Sequence, residues 1–345
     1  MKVVFGKMPD GTLVDMYTLK SDTASCKIIT YGGALHSFTI ADKNGTPVDV
    51  LLGFDNIEDY MTQDAYIGAL IGRYANRIGK SQFELNGQDY PLFANDGQNH
   101  LHGGKTGFDK QIWQVKQYDE SKIVLALSSE DMQEGYPGKL DVTVTYSLEG
   151  RQLSIDYSAV CDKDTICNLT NHAYFNLSGH NSGTIEDNYI QINADFYTPT
   201  DSESITTGEI AAVDNTPMDL RIPLQIGKYA DSSFEQLKLA GGYDHNWIVK
   251  GNAGTPRLAA TAKSETSGIT LKTYTTQPGI QFYSGNYLGN TPCGKGGAVY
   301  KKRSGFCLET QCYPDTVHHK NFPSAILKAG EVYSHKTVYS FEIEK

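Results

Sequence analysis

The chain has 345 residues, 20% of them charged and 39% hydrophobic, with 34 Gly, 22 Tyr and a formal net charge of -10. Charged residues below the usual ~25% and Gly above the usual ~7% exclude a disordered or coiled-coil chain and indicate a turn-rich globular one. A surface this acidic repels phosphate backbones and anionic lipid, which argues against nucleic acid and membrane partners and suits a neutral ligand.

At roughly 150 residues per domain the length suggests about two domains, but large all-β folds run longer as one unit. No charge block or low-complexity linker divides the sequence. The simplest organisation is one domain over 1–345, large enough to bury roughly three-quarters of its unfolded surface without a disulfide or metal staple. The opening segment, Met1-Lys2-Val3-Val4-Phe5-Gly6-Lys7, reaches Pro9-Asp10-Gly11 without the apolar core of a signal peptide. No run approaches the ~18 apolar residues of a membrane helix, so a cytoplasmic location is expected. Cys26, Cys161, Cys167, Cys293, Cys307 and Cys312 form no Cys-x-x-Cys and are read as reduced thiols.

In chain order, turn signals fall at Pro9-Asp10-Gly11, Lys43-Asn44-Gly45, Leu85-Asn86-Gly87 and Leu148-Glu149-Gly150, where Asn-Gly and Asp-Gly supply the positive φ of tight hairpins. A short helix is predicted over 57–62. Residues 122–128, 140–148, 152–160 and 338–344 alternate apolar with polar and are rich in β-branched and aromatic residues, which predicts strands with one buried face. Segments 177–190 and 198–220 read as loops interleaved with strand. A second short helix over 233–239 ends at Gly241-Gly242. Long helices do not alternate with the strands, which disfavours a doubly wound nucleotide fold. The expected class is all-β, a large antiparallel β-sandwich with few short helices.

The P-loop, dinucleotide-binding, zincin and nucleophile-elbow motifs are absent, so any chemistry rests on dispersed side chains and no cofactor is expected. Polar residues crowd beside aromatics in six segments: 72–78, 99–104, 168–176, 243–247, 276–283 and 306–311. Amides and carboxylates for hydroxyl pairs, with aromatic faces for C–H patches, are what a sugar site uses. Each piece also has a plainer use. His100 and His102, two apart on a strand, share a face and could ligate a metal, but with no Cys or acidic ligand nearby one of them is better read as a hydrogen-bonded structural residue, and no metal is expected. His172 at an apparent strand end fits a core or a catalytic residue equally. Asp244 after two glycines fits a turn, and His318-His319 a solvated loop. Glu309 follows the apolar Phe306-Cys307-Leu308, where a carboxylate is costly unless used or paired, with Arg77 or Arg73 as the candidate partner.

Taken together these segments resemble the aldose 1-epimerase (galactose mutarotase) family. The matching strings are 72–79, Leu101-His102-Gly103-Gly104 with Gly107-Phe108-Asp109-Lys110 and Trp113, 169–177, Tyr243-Asp244-His245-Asn246, 275–283 and 305–311, in the family's order and over most of the chain. The resemblance implies a β-supersandwich with an open cleft for a free hexose such as galactose or glucose. It implies His172 and Glu309 as the catalytic pair, and Asn76, Arg77, His102, Asp244 and Gln281 as sugar-binding residues. Anomer interconversion needs a base for the C1 hydroxyl proton and an acid for the ring oxygen. An unperturbed Glu309 is ionised at neutral pH and serves as base, and His172, its pKa raised by the neighbouring carboxylate, serves as acid. The acidic balance disfavours the alternative of a hexose 6-phosphate epimerase. A non-catalytic sugar-binding module has no need of a buried acid/base pair, and a metal-dependent hydrolase built on the histidines is the third alternative. The partner is a small sugar, and the chain is expected to act as monomer or homodimer.

Overall fold

The computed structural model describes residues 1–344. Three large antiparallel sheets account for most of the strands. The first pairs Lys2–Lys7, Leu13–Lys20, Ala24–Ile29, Leu35–Ala41 and Pro47–Asp49 in sequence order. The second has nine strands, in the order Gln114–Tyr118, Lys122–Ser129, Leu140–Glu149, Gln152–Cys161, Val332–Ile343, Ile269–Thr275, Arg257–Lys263, Tyr189–Ile192 and Leu224–Gln225. The third runs Tyr174–Phe175, Phe306–Gln311, Gly279–Tyr283, Asp244–Ile248, Phe196–Thr198 and Ala211–Ala212. The all-β class expected from the sequence is the class observed.

The alternating segments became strands with the expected faces. Along Leu140–Glu149 buried residues alternate with wetter ones, and Gln152–Cys161 repeats the pattern in register, Glu149 opposite Gln152 across the turn at Gly150. Asn86 and Gly87 both take positive φ (54° and 77°), the type I′ geometry that lets Leu85 face Gln88. The helix Ile57–Thr62 starts where Asn56 accepts the Asp59 N–H at 2.8 Å. The second helix, Glu235–Ala240, begins two residues later than its pattern suggests, because Phe234 stays extended. It ends as expected, with Gly241 at φ 65°.

Two differences have a tertiary cause. The last strand, Val332–Ile343, starts six residues before the alternating run. Its early half is polar yet pairs with Gln152–Cys161, Val332 opposite Val160 and His335 opposite Tyr157, while the half from Thr337 on is central, paired also with Ile269–Thr275. Gly279–Tyr283 and Phe306–Gln311 are buried on both faces, so they carry no two-residue alternation to read. One hydrophobic core draws on all three large sheets, from Tyr17 to Phe341, with Phe38 stacked on Phe341 at 4.4 Å and Phe175 edge-on to Tyr339 at 5.0 Å. Burying each such side chain stabilises the fold by about 1.5–3 kcal/mol. All six cysteines are free, five of them buried. No helix among the described residues is long and apolar enough to cross a membrane.

Candidate active site

The third sheet brings distant segments together. Pairing of Gly279–Tyr283 with Phe306–Gln311 puts Gln281 directly opposite Glu309, and pairing with Asp244–Ile248 puts Tyr283 opposite Asp244. On the other side Tyr174 faces Cys307, and His172 precedes it in the short link after Thr170–Asn171. Asn171 fixes that link: its side-chain amide donates to the Gly68 carbonyl at 2.8 Å and its oxygen accepts the Ala173 N–H at 3.1 Å.

A second cluster arrives from Arg77–Ile78, which pairs with His100–Leu101. The flanking Asn76 and His102 both adopt left-handed backbone (φ 64° and 51°) and bind each other reciprocally. The Asn76 N–H donates to His102 Nδ1, and the His102 N–H donates to the Asn76 carbonyl, both at 3.1 Å. The next residue has to be glycine: Gly103 sits at φ 89°, and a Cβ there would lie 1.8 Å from the Gly72 carbonyl oxygen. This explains the Leu101-His102-Gly103-Gly104 string in backbone terms.

These segments line a cleft of about 440 Å³, open to solvent. Six of the seven anticipated residues line it: Asn76, Arg77, His102, His172, Asp244 and Glu309. Gln281 lies behind them, donating its amide N–H to Asp244 Oδ1 at 2.7 Å and accepting from Gln311 at 3.5 Å. At the floor, His172 Nε2 is 3.6 Å from Glu309 Oε1, with both side chains almost wholly buried. Glu309 Oε2 has no hydrogen-bond partner.

The protonation states differ from the sequence expectation. Burial lowers the His172 pKa to about 4 instead of its neighbour raising it. Burial, with the Asp244 charge adding to it, pushes Glu309 well above the carboxylate range, and Arg77 only partly offsets this. The sequence reading weighed the neighbours' charges and could not see the desolvation, which here is the larger effect. Burial therefore favours the neutral forms of the pair, imidazole and carboxyl. Asp244 is also raised by burial, against the pull of Arg77 and of the Gln281 hydrogen bond. Burial alone would lower Arg77, but Asp244 and Asp96 raise it, Asp96 through a 2.7 Å bond to Nε.

The ion pair considered for Glu309 is not made. Arg73 is buried on the far side, donating to Ser129 and to the Pro137 and Glu130 carbonyls. Arg77 takes Asp96 instead, a partner not singled out from the sequence. His100 is the structural member of its pair, bound at Nδ1 to the Phe93 carbonyl (2.7 Å) and at Nε2 to the Tyr136 hydroxyl (2.6 Å). His318 and His319 are not simply solvated: they pack on buried Asp315, His318 Nδ1 at 2.6 Å. Of the aromatic walls, Tyr174 and Tyr283 fall in segments singled out from the sequence, whereas Tyr66 and Tyr287 were missed. Tyr287 stands 64% exposed at the mouth, its ring within 23° of parallel to Tyr283. Among 22 tyrosines nothing local marks Tyr66 and Tyr287.

His102, His172 and Glu309 place ligand atoms within 4.8 Å of one another, a set with metal-like composition. The donor chemistry does not suit a cation. Because His102 Nδ1 accepts the Asn76 N–H, the neutral ring presents an N–H at Nε2, a donor for a hydroxyl oxygen rather than a lone pair for a metal.

A module that only recognises hydroxyls has no use for an unpartnered buried carboxyl oxygen beside an imidazole. The fold and cleft fit an enzyme of the isomerase class. A family model for aldose 1-epimerase matches residues 15–340. The chain is 43% identical to a galactose mutarotase from Bos taurus over 99% of its length and 98% of the relative's. It is 39% identical to an aldose 1-epimerase from Haemophilus influenzae over 97% of each. A crystal structure of an aldose epimerase homologue from C. elegans superposes with a TM-score of 0.88 at 29% identity, over 96% of this chain and 99% of that one. A galactose 1-epimerase from Lactobacillus acidophilus superposes at 0.87, also at 29% identity, over 100% and 99%. The chain belongs to the aldose 1-epimerase family.

Proposed function

We propose that this protein interconverts the α and β anomers of free aldohexoses, galactose and glucose among them, with Glu309 as general base and His172 as general acid. The observation that carries the reading is the 3.6 Å approach of His172 Nε2 to Glu309 Oε1 at the floor of an open cleft. In ring opening, with the pair's shared proton on His172 Nε2, the Glu309 carboxylate takes the proton of the C1 hydroxyl and the His172 imidazolium protonates the ring oxygen. The bond from C1 to the ring oxygen breaks and a carbonyl forms at C1. Rotation about C1–C2 turns the other carbonyl face to the ring hydroxyl, and the two proton transfers reverse on closure. The pair's proton count is the same before and after opening. Only its arrangement changes, from imidazolium with carboxylate to imidazole with carboxylic acid.

The pKa directions fit these roles. Lowering the His172 pKa makes its protonated form a stronger acid, and raising Glu309 makes its ionised form a stronger base. The neutral arrangement that burial favours is the one that accompanies the open-chain aldehyde, so the intermediate carries no separated charge in the dry floor.

Asn76, Arg77, His102 and Asp244 are assigned to the sugar hydroxyls, holding the ring for transfer. Gln281 contributes by orienting the Asp244 carboxylate. Arg77 is the single Lys or Arg lining the cleft among the described residues, and Asp96 already occupies it. That supports neutral sugars over hexose 6-phosphates. The reading takes the chain as one sandwich domain, monomeric or dimeric, supported by a core running from Tyr17 to Phe341. Its six free thiols support a cytoplasmic setting. Polarimetry of freshly dissolved α-galactose and α-glucose tests the activity: the enzyme speeds the approach to the equilibrium rotation without changing its value. Unaltered kinetics with both sugars reject the reading.

A further inference from the structure

Strand Phe306–Gln311 carries Cys307 two residues before Glu309, so both side chains leave the sheet on the same face. Cys307 Sγ lies 3.5 Å from His172 Nδ1, while Nε2 of the same ring faces Glu309. One strand thus grips both edges of the imidazole. Among the described residues, Cys307 is the side chain hydrogen-bonded to His172 Nδ1. The plain use of a buried cysteine is seen nearby: Cys161 and Cys312 turn their thiols to the Pro137 and Pro323 carbonyls. Cys307 is turned to the ring instead.

We propose that Cys307 is a positioning residue for the isomerisation: its neutral sulfur holds the Nδ1 edge of His172 so that Nε2 exchanges the proton. A third group orienting the acid/base residue is a general arrangement, usually filled by a carboxylate that stabilises imidazolium. A thiol accepts weakly and brings no charge. Burial, reinforced by the Glu309 and Asp244 charges, keeps Cys307 protonated. With Nδ1–H donating to Sγ throughout, His172 loses and regains its proton at Nε2 alone, and no proton crosses to sulfur.

The inference rests on His172 being the acid, and its test separates the two ideas. Cys307→Val fills the space without a hydrogen-bonding atom, Cys307→Ala empties it, and Cys307→Ser restores an acceptor. Removing one neutral hydrogen bond to the acid lowers kcat about three- to tenfold in the Val and Ala variants. KM stays within about twofold, because the sugar-binding residues are untouched. The Ser variant recovers most of kcat. The 15N spectrum of the His172 ring is read on the resting enzyme: Nδ1–H predominates in the wild type and in Cys307→Ser, and gives way to Nε2–H in Cys307→Val. Wild-type kcat and an unchanged ring tautomer in Cys307→Val overturn the proposal. Loss of thermal stability alone, with kcat retained, identifies a merely structural cysteine and overturns it too. A wild-type enzyme without mutarotase activity removes the acid/base reading, while the tautomer comparison still decides the Cys307 contact.

Discussion

Replacing Glu309 by Gln changes one oxygen to an amide nitrogen in a site where the residue is 2% exposed. Shape and most contacts are kept, because Oε1 faces His172 and Oε2 has no partner to lose. The amide cannot take the C1 hydroxyl proton. A positioned base is worth about 100- to 10,000-fold, or about 2.7–5.4 kcal/mol of barrier, and that is the expected fall in kcat. Sugar affinity survives, since Asn76, Arg77, His102 and Asp244 remain. Polarimetry gives the rate, and calorimetric titration with galactose gives the affinity. Stability supplies an independent check. Glu309 has its folded pKa raised above the unfolded value, so its protonated form favours the fold at low pH, and stability is lost as pH rises from near 4.3 through the raised value. An amide at this position does not titrate and has no such loss, so Glu309→Gln melts higher than wild type at pH 8, and the difference shrinks towards pH 4. Turnover within about threefold of wild type refutes the base assignment. Equal melting temperatures at pH 8 refute the burial argument for the raised pKa.

The pH profile of kcat/KM is expected to have its acid limb near pH 4, where a second proton reaches the pair through His172, and its alkaline limb above the usual carboxylate range, where the shared proton is lost; both limbs belong to the pair. A limb near pH 6.5 instead points to a solvated histidine. Asp244→Ala should raise KM by roughly 10- to 100-fold, the worth of hydrogen bonds to a charged group, with a smaller effect on kcat. Gln281→Leu should raise KM less, about tenfold or below, because it acts through Asp244; an effect exceeding that of Asp244→Ala, seen in the same polarimetric assay, means that Gln281 meets the sugar directly. Prolonged dialysis against a chelator should leave the rate unchanged, since His102 presents an N–H to the cleft, and restoration of a lost rate by added zinc contradicts that tautomer.

Alternation along 140–148 and 152–160 and the Asn86-Gly87 and Gly150 turns determined much of the sheet architecture from the sequence, because strand period and turn φ are local properties. The candidate site residues were legible as strings rich in amides, histidines and carboxylates, and six of the seven anticipated side chains line one cleft. Tertiary structure decided the rest. Gly279–Tyr283 and Phe306–Gln311 are buried on both faces and have no periodic signature. Gln281 stands behind Asp244 because its register opposite Glu309 and beside Asn246 is set by two neighbouring strands. Charge was the sharpest divide. Composition argued for a neutral ligand, yet the raised pKa of Glu309 and the lowered one of His172 follow from desolvation by residues far apart in the chain. Residue type sets the reference pKa, but only the folded environment sets how far water is removed from it.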